Sequence, residues 1–404
     1  MYTHFLLIVH HVCELGNESI QMVKKVFLQF ALFFLLVCSR EVAVATYDSL
    51  PRLDRITSAV LMSADSGQIL FQQNANHRVN PGSLIQLMTL ELAMEALQMG
   101  SVHLDTTIKL PEDIQQVKGR NVFVPSYENV KFHDLLASIA IVGANDACMA
   151  IAHQLAGSVS GFINRMKKKA NELKLHSTWI GDSCGCIKDT NKQYTTAHDM
   201  AQLAYYHMKR HPEWLPLYSK SYFSFGGIHY KNNNDLPDYD ERINALKDAR
   251  INNKTFHLVS TGYWNDERYL AVIMGAKTKN MAAHLALKLL NQGFVTFENV
   301  CLFEKGDKID EAEVWKGNVD QIPLVSRHNV IVTIPEGKKD SISFHKSIAK
   351  VITAPFGKNE KVGTLDILLN EDSIKSINIY PSHKIEKAHL LKRIWHSLLL
   401  AFKQ

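Results

Sequence analysis

The longest apolar runs of this chain lie close to its two ends. Near the start, two lysines precede an apolar run at 26–38, and the tripeptide Ala-Val-Ala follows at 43–45. Positive charge, an apolar run and small residues in this order are typical of a secretory signal peptide and its cleavage site. The pattern therefore predicts that residues 1–45 are a leader that is removed on export.

The length of the leader separates this interpretation from two alternatives. Counted from Met1 the leader has 45 residues, whereas counted from Met22 it has 24, so translation is expected to start at Met22. Its apolar run of 13 residues is shorter than the roughly 20 that a membrane-spanning helix needs. A lipid anchor at Cys38 is disfavoured because the bulky Val37 precedes it, where a lipoprotein peptidase prefers a small residue.

The second apolar segment closes the chain and has helical spacing over 386–404. Its apolar residues share one face of the predicted helix: Leu390, Leu391, Ile394, Trp395, Leu398, Leu399 and Phe402. Its cations lie off that face: Lys387, Lys392, Arg393 and Lys403. A basic amphipathic helix carrying Trp and Phe suits the surface of an anionic membrane, and the alternative is a helix packed on the protein's own core. We expect the membrane surface.

Between these ends, the hydrophobic pattern changes once. Up to about residue 297 it mixes helical and alternating segments, which predicts a mixed domain. Strands are expected around a turn at 65–67 and in the stretch 255–274, and helices at 84–99, 132–156, 162–173, from 195 onward, and at 282–292. From 298 the apolar runs become short and alternate, which predicts a small all-β domain. The predicted units are 46–297, 298–383 and a tail at 384–404.

Composition excludes several classes of protein but identifies none. Of 404 residues, 46% are hydrophobic and 21% are charged, which is ordinary for a globular protein and excludes a mainly disordered chain. The formal net charge of +5 gives no case for binding nucleic acid. No cysteine or histidine cluster suggests a metal, and none is expected. Cys184 and Cys186 are one residue apart, a spacing that rarely allows good disulfide geometry.

Four stretches carry a resemblance to a known family. VNPGSLIQLMT at 79–89, IVGANDA at 141–147, YTTAHDMA at 194–201 and AVIMG at 271–275 resemble the low-molecular-mass penicillin-binding proteins, which are D-alanyl-D-alanine carboxypeptidases. The resemblance implies a penicillin-binding, serine β-lactamase-like α/β (more strictly α+β) domain, a small β-sandwich-like domain and a C-terminal amphipathic helix. It implies peptidoglycan stem peptides or β-lactams as ligands, and no cofactor.

The chemistry of this family depends on three motifs, S-x-x-K, S-x-N and K-T-G. A serine hydroxyl is a weak nucleophile and needs an adjacent base to accept its proton. The lysine one helical turn later can be that base when neutral, and the second serine passes protons onward. The K-T-G strand binds the backbone and terminal carboxylate of the substrate.

By this resemblance, the first two motifs of this chain are altered. Ser83 stands at the nucleophile position, but Gln86 replaces the lysine, and an amide cannot accept a proton. Gly143 replaces the second serine, while Asn145 of that motif remains. Without the family context, Ser83 and Asn145 would read as residues at helix starts, where such side chains are common caps.

The third motif is altered as well. Lys247 matches its lysine, and Asp248 and Ala249 replace threonine and glycine. Asp248 would bring negative charge to the place where a substrate carboxylate docks, and Arg250 is expected to offset that charge after a side-chain shift. The alternative is that Lys247 is a solvated surface charge with no role in the site.

The sequence thus leads to two hypotheses. In the first, the protein is a carboxypeptidase homologue at the periplasmic face of the inner membrane, with catalysis lost or severely impaired, that still associates with peptidoglycan stem peptides. In the second, it is an active serine carboxypeptidase that removes the terminal D-Ala of pentapeptides. Ser83 would then form the acyl-enzyme, Lys247 would accept its proton, and Asn145 would hold the substrate amide.

Overall fold

The computed structural model describes residues 52–111, 114, 117–122, 129–234, 236–349 and 351–403. The predicted signal peptide lies outside the described residues.

The secondary structure alternates first and then becomes almost entirely β. The strands are β1 Ser58–Ser63, β2 Ile69–Gln73, β3 Thr107–Lys109, β4 Asn129–Lys131, β5 Tyr222–Phe225, β6 Ile228–Lys231, β7 Ile243–Asn252, β8 Thr255–Trp264, β9 Glu267–Ala276, β10 Phe297–Phe303, β11 Lys308–Trp315, β12 Gln321–Val325, β13 Val330–Pro335, β14 Ile342–Ile348, β15 Ile352–Thr353, β16 Gly363–Leu369 and β17 Asp372–Pro381. The α-helices are α1 Gln86–Gln98, α2 Phe132–Ala137, α3 Asn145–Ala156, α4 Val159–Glu172, α5 Ala197–Arg210, α6 Leu215–Tyr218, α7 Leu236–Tyr239, α8 Lys279–Thr296 and α9 Leu390–Lys403.

The larger domain is built on an antiparallel sheet with the order β2-β1-β9-β8-β7. Strand β9 is a continuous apolar run over 270–274 and is buried on both faces, as a strand covered on both sides must be. The helices α1 and α5 pack in the core on one side of the sheet, and α8 packs in the core on the other. Strand β7 lies at the edge of the sheet, and its free edge faces the start of α1.

The smaller domain contains a six-stranded sheet with the order β14-β16-β17-β12-β11-β15 and a pair formed by β10 and β13. Strand β16 alternates strictly between buried and half-buried residues, because one face of its sheet packs on a core that includes Val332, Leu365 and Ile379. A mixed domain, an all-β domain and a C-terminal helix follow one another, so the predicted fold class is confirmed.

One predicted helix is wrong in a way that bears on the site. The pattern predicts one helix over 132–156, but the structure has α2, a π-helical turn at Ser138–Val142 and then α3. The break occurs at Gly143, whose φ of 76° is left-handed. Glycine adopts this conformation without the steric cost that other residues incur. The break places Asn145 at the first turn of α3, facing the start of α1.

A buried polar network connects α1 to α5. Both oxygens of the Glu91 carboxylate are bonded, one to His207 Nδ1 at 2.8 Å and the other to His211 Nε2 at 3.2 Å. The Tyr218 hydroxyl lies 2.7 Å from His207 Nε2. Burial raises the pKa of the Glu91 carboxyl, but the hydrogen bonds and charges of the two histidines outweigh burial and lower the pKa to about 2. Nothing in the hydrophobic pattern or the motifs indicated this cluster.

This network predicts a specific loss of stability in acid. Because the folded-state pKa of Glu91 lies below its ordinary value of 4.5, its contribution is complete above pH 4.5 and is lost as the pH falls towards 2. Between pH 7 and pH 3, urea titrations should show a free energy of unfolding that falls by about 2 kcal/mol more in the native protein than in Glu91→Gln. Glu213→Gln, at an exposed carboxylate, should behave like the native protein. Equal falls in the native protein and Glu91→Gln would contradict this assignment.

Candidate active site

Ser83 is held at the start of α1 by the loop that precedes it. Asn80 Oδ1 accepts a hydrogen bond from the Gly82 N–H at 2.9 Å, and Asn80 Nδ2 donates to the Ile187 carbonyl at 2.8 Å. Gly82 has a φ of 51°, and a Cβ there would lie 2.6 Å from Ile251 Cδ1. Only glycine fits this position, so the Pro-Gly pair fixes where the Ser83 side chain emerges.

A buried histidine ties this loop to the sheet. His257 Nδ1 accepts from the Gly275 N–H at 2.8 Å, so its Nε2 carries the hydrogen and donates to the Asn80 carbonyl at 3.1 Å. Burial lowers the pKa of His257 to about 4, so the ring is neutral near pH 7 and keeps both bonds. His257 is a positioning residue for the loop and lies behind Ser83.

The Ser83 hydroxyl donates to the backbone carbonyl of Asp248 at 2.9 Å. This bond joins the start of α1 to the free edge of β7. A backbone carbonyl has no basicity near neutral pH, so it orients the hydroxyl but cannot take its proton. Among the described residues, this is the only hydrogen bond of the Ser83 side chain.

Gln86 is fully buried one turn after Ser83. Its Nε2 donates to three oxygens: Asn145 Oδ1 at 2.9 Å, the Cys184 carbonyl at 3.0 Å and the Gly143 carbonyl at 3.2 Å. An amide has two N–H bonds for these three acceptors, whereas an ammonium group has three. The pocket around this nitrogen therefore has the acceptors that a lysine would use.

Gly143 leaves space where the family motif has its second serine. A Cβ there would lie 3.4 Å from Lys247 Nζ and from Arg120 Nη1, and 3.5 Å from Gln86 Oε1. All three atoms are the far ends of flexible side chains, so a small side chain fits. The left-handed φ would cost such a residue about 1–2 kcal/mol.

The side chain of Asn145 makes hydrogen bonds to other residues of the protein. Its Nδ2 donates to the Lys118 carbonyl at 2.9 Å, its Oδ1 accepts from Gln86, and its N–H donates to the Arg120 carbonyl at 2.7 Å. These bonds attach the segment 117–122 to the start of α3. Asn145 therefore shapes the wall of the site.

Lys247 is buried, with 2% of its surface exposed, so the alternative of a solvated surface charge is wrong. Its Nζ donates to the Ile139 carbonyl at 2.5 Å. Burial lowers the pKa of Lys247 to about 8, despite the opposing charge of Asp248. Within the described part of the chain, no hydrogen bond links Lys247 to Ser83.

The ion pair of Asp248 differs from the expected one. Its carboxylate lies 3.4 Å from Arg120 Nη2, on the segment 117–122. Arg250, the expected partner, donates instead to Asn253 and stacks its guanidinium 5.9 Å from the Phe256 ring. Asp248 and Arg250 are two residues apart on β7 and so share one face of the strand, but the Arg250 side chain turns to Asn253, and Arg120 reaches Asp248 from a distant loop. Ala249, between them, is buried.

Cys184 and Cys186 form a disulfide, although a spacing of one residue rarely allows it. The intervening Gly185 has a φ of 82°, which turns the chain and brings the two Cα atoms to 5.6 Å. Asp182 accepts hydrogen bonds from the backbone N–H groups of Cys184, Gly185 and Ile187. The Asp182 side chain therefore holds the turn in place. Cys148 and Cys301 are free.

These parts surround a cleft of about 440 Å³ that opens beside Ser83. Its cationic lining residues are Lys118, Arg120, Lys188 and Arg250, and its other lining residues are Asn80, Gly82, Ser83, Gly119, Gly143, Asn145, Cys184, Gly185, Cys186 and Ile251. None of these residues is acidic. The cleft therefore suits an anionic ligand.

The fold and this site agree with two family models. Residues 49–278 match the model described as D-alanyl-D-alanine carboxypeptidase, and residues 297–387 match the one described as the penicillin-binding protein 5 C-terminal domain. The chain belongs to the D-alanyl-D-alanine carboxypeptidase family, as the resemblance predicted. The family is one of low-molecular-mass penicillin-binding proteins that act on peptidoglycan.

Curated relatives align over most of their length. The chain is 28% identical to D-alanyl-D-alanine carboxypeptidase DacC of Escherichia coli, covering 85% of this chain and 88% of the relative. It is 29% identical to DacA of Haemophilus influenzae, with the same coverage. Among solved structures, penicillin binding protein 5 from Haemophilus influenzae is similar with a TM-score of 0.78 and 27% identity, over 84% of this chain and 99% of that one.

The structure places Ser83, Gly143, Asn145 and Arg250 around one cleft, and it adds residues that the sequence did not indicate. Gln86 is hydrogen-bonded to Gly143 and Asn145, and Lys247 Nζ lies close to Gly143. Arg120, Asn80 and His257 were missed. Asn80 had a usable signal, because Asn before Pro-Gly favours a turn, whereas nothing local marks Arg120 or His257.

Proposed function

We propose that this protein is a carboxypeptidase homologue whose catalysis is severely impaired and which binds peptidoglycan stem peptides. The hydrogen bond from Ser83 to the Asp248 carbonyl carries the proposal. The Ser83 hydroxyl donates to a backbone carbonyl, which cannot accept its proton. Gln86 supplies an amide at the position where the reaction needs a base. General-base catalysis is worth roughly 10²–10⁴-fold, and that contribution is missing here.

Binding is proposed because the cleft has a volume of about 440 Å³ and a cationic lining. A stem peptide ends in a carboxylate, and carboxylates pair well with lysine and arginine side chains. Arg250 is exposed at the cleft, and its charge is not paired with a carboxylate of any described residue. The Asp248 charge is offset by Arg120, so it no longer opposes an anionic ligand.

A second candidate is an active serine carboxypeptidase that uses Lys247 as its base. The observation in its favour is that burial lowers the pKa of Lys247 to about 8, so part of the population is neutral near pH 7. A rearrangement would have to bring Nζ from the Ile139 carbonyl to the Ser83 hydroxyl.

A synthetic pentapeptide ending in D-Ala-D-Ala separates these functions. Isothermal titration should detect binding, while release of D-Ala should remain at least about 100-fold below that of an active relative. Arg250→Gln should weaken binding by about tenfold, since a charge-assisted hydrogen bond contributes about 1.5–3 kcal/mol. Lys288→Gln makes the same charge change on the exposed side of α8 and should leave binding unaltered. Release of D-Ala at a rate comparable to that of an active relative would contradict the proposal that catalysis is impaired. Undetectable binding would contradict the proposal that the protein binds stem peptides.

We further propose that the mature protein is exported and lies at the periplasmic face of the inner membrane, held there by α9. Two observations support this location. The apolar residues of α9 face solvent, with Leu391 82% and Trp395 60% exposed. The opposite side of the helix contacts the β-domain, where Lys392 pairs with Asp320 at 2.7 Å and His396 Nδ1 accepts from the Lys316 N–H at 2.8 Å.

The alternative for this helix is packing on the protein's own core, and its exposed apolar face argues against that alternative. Its contacts with the β-domain include the pair of Lys392 with Asp320 and a ring contact between His396 and Trp315. Every helix within the described residues is too short or too polar to cross a bilayer. A surface-lying helix is the arrangement that this geometry favours.

A further inference from the structure

The disulfide turn at 182–187 forms one wall of the cleft, and the proposed function does not use it. Its two sulfurs differ in access. Cys184 is 5% exposed, whereas Cys186 is exposed, and both residues line the cleft. A reagent that enters the cleft therefore meets Cys186 Sγ first.

The turn does not depend on the S–S bond for its shape. The Asp182 carboxylate accepts three backbone N–H groups, from Cys184 at 3.1 Å, from Gly185 at 2.5 Å and from Ile187 at 2.7 Å. Gly185 packs against the loop that carries Ser83, since a Cβ there would lie 2.0 Å from the Gly82 carbonyl oxygen. Both supports remain when the disulfide opens, so oxidation and reduction can occur without refolding.

The charge at the mouth of the turn attracts anionic molecules. Lys118 and Lys188 line the cleft together with Cys186. Their positive charges raise the local concentration of anionic molecules in the cleft. The Asp182 carboxylate lies within 4.8 Å of both cysteine sulfurs and disfavours a thiolate on either of them, so the attacking thiolate is that of the incoming molecule.

From these observations we propose that Cys184–Cys186 is a redox-active disulfide that oxidises small carboxylate-bearing thiols entering the cleft. The thiolate of one molecule attacks Cys186 Sγ, forms a mixed disulfide and breaks the S–S bond. Cys184 leaves as a thiolate and takes up a proton. A second thiolate attacks the sulfur of the bound molecule, releases a small-molecule disulfide and leaves Cys186 as a thiolate, which takes up a proton. Two thiols are thus oxidised, and one protein disulfide is reduced to two thiols.

The test uses the full mature chain with Cys301→Ser, so that its exposed free thiol does not react. The oxidised protein is mixed with reduced glutathione or with glutathione diethyl ester, in which both carboxylates are blocked. Acid-quenched samples are analysed by intact mass. Glutathione should reduce the disulfide at least about threefold faster than the ester at low ionic strength. The two rates should converge in about 0.5 M NaCl, where screening removes the attraction.

Two single variants locate the attacked sulfur. Cys184→Ser leaves the exposed Cys186 and should accumulate one mixed disulfide when oxidised glutathione is added. Cys186→Ser leaves the buried Cys184 and should react at least about tenfold more slowly, since access controls the reaction. Circular dichroism checks that each variant folds. If a variant does not fold, the comparison of glutathione with its ester on the Cys301→Ser protein still tests the proposal.

Three results would overturn the proposal. The first is a protein that keeps Cys184 and Cys186 as thiols in oxidised glutathione. The second is a disulfide that resists a large excess of reduced glutathione in the native state, because it would then be structural. The third is equal rates with glutathione and its ester at low salt. All three readouts are masses of the protein itself, so they are independent of whether stem peptides bind.

Discussion

Fluorescent penicillin is expected to label the native protein roughly 10²–10⁴-fold more slowly than it labels Haemophilus influenzae penicillin-binding protein 5. Acylation by a β-lactam requires the same proton transfer from the serine as peptide cleavage does. In this protein the Ser83 hydroxyl donates to the Asp248 carbonyl, and Gln86 cannot act as a base. The measurement is a time course of labelling under matched concentrations. Ser83→Ala should remove whatever labelling remains. Fast labelling of the native protein that disappears in Ser83→Ala would contradict the proposal that catalysis is impaired.

The same assay tests whether the missing groups can be restored. Gln86→Lys with Gly143→Ser should raise the labelling rate by at least about 100-fold over the native protein, because the acceptors around Gln86 Nε2 suit an ammonium group and Gly143 has space for a side chain. Gln321→Lys repeats the glutamine-to-lysine change on an exposed strand of the β-domain and should change nothing. A correctly folded double variant with the native rate would show that the scaffold has lost more than these two groups.

Removing the apolar face of α9 is expected to release the protein from membranes. Leu391→Gln with Trp395→Gln should reduce binding to vesicles containing anionic lipid by at least about 100-fold, because each buried side chain of this size contributes about 1.5–3 kcal/mol. Co-sedimentation measures the bound fraction. Deleting 386–404 should shift the exported protein from the membrane fraction to the soluble one.

A matched control separates the apolar face from the helix itself. Lys392→Gln with Asp320→Asn removes the ion pair on the side facing the β-domain and should weaken vesicle binding much less than the apolar variant. Salt should weaken binding by the native protein partly, since the cations of the tail add attraction to anionic lipid. Unchanged sedimentation of the Leu391 and Trp395 variant would rule out the apolar face as the anchor.

The elements whose burial produces a periodic pattern of apolar residues could be predicted from the sequence. The apolar periodicity predicted α9, the sheet strands around residues 255–274 and the change to an all-β domain, because burial imposes these periods directly. The resemblance placed Ser83, Gln86, Gly143 and Asn145 at related positions. In the structure Gln86 is hydrogen-bonded to Gly143 and Asn145, and Ser83 lines the same cleft as those two residues.

Residues that act through long-range contacts were not predictable. Arg120 pairs with Asp248 across 128 residues, and Glu91 meets His207 across 116. A pattern read along one chain contains no information on such pairs. The disulfide between Cys184 and Cys186 could not be decided from the sequence, because the general rule on spacing does not account for Gly185, which is in the left-handed conformation between the two cysteines.

The three acceptors around Gln86 also bear on how easily this protein could regain activity during evolution. Glutamine and lysine codons differ only in their first base, and glycine and serine codons can also differ by one base. A pocket that already presents oxygens to a lysine ammonium needs no compensating change in its walls. The loss of catalysis proposed above would therefore be shallow at position 86, where selection by a β-lactam or by a demand for peptide trimming could restore a lysine in one step.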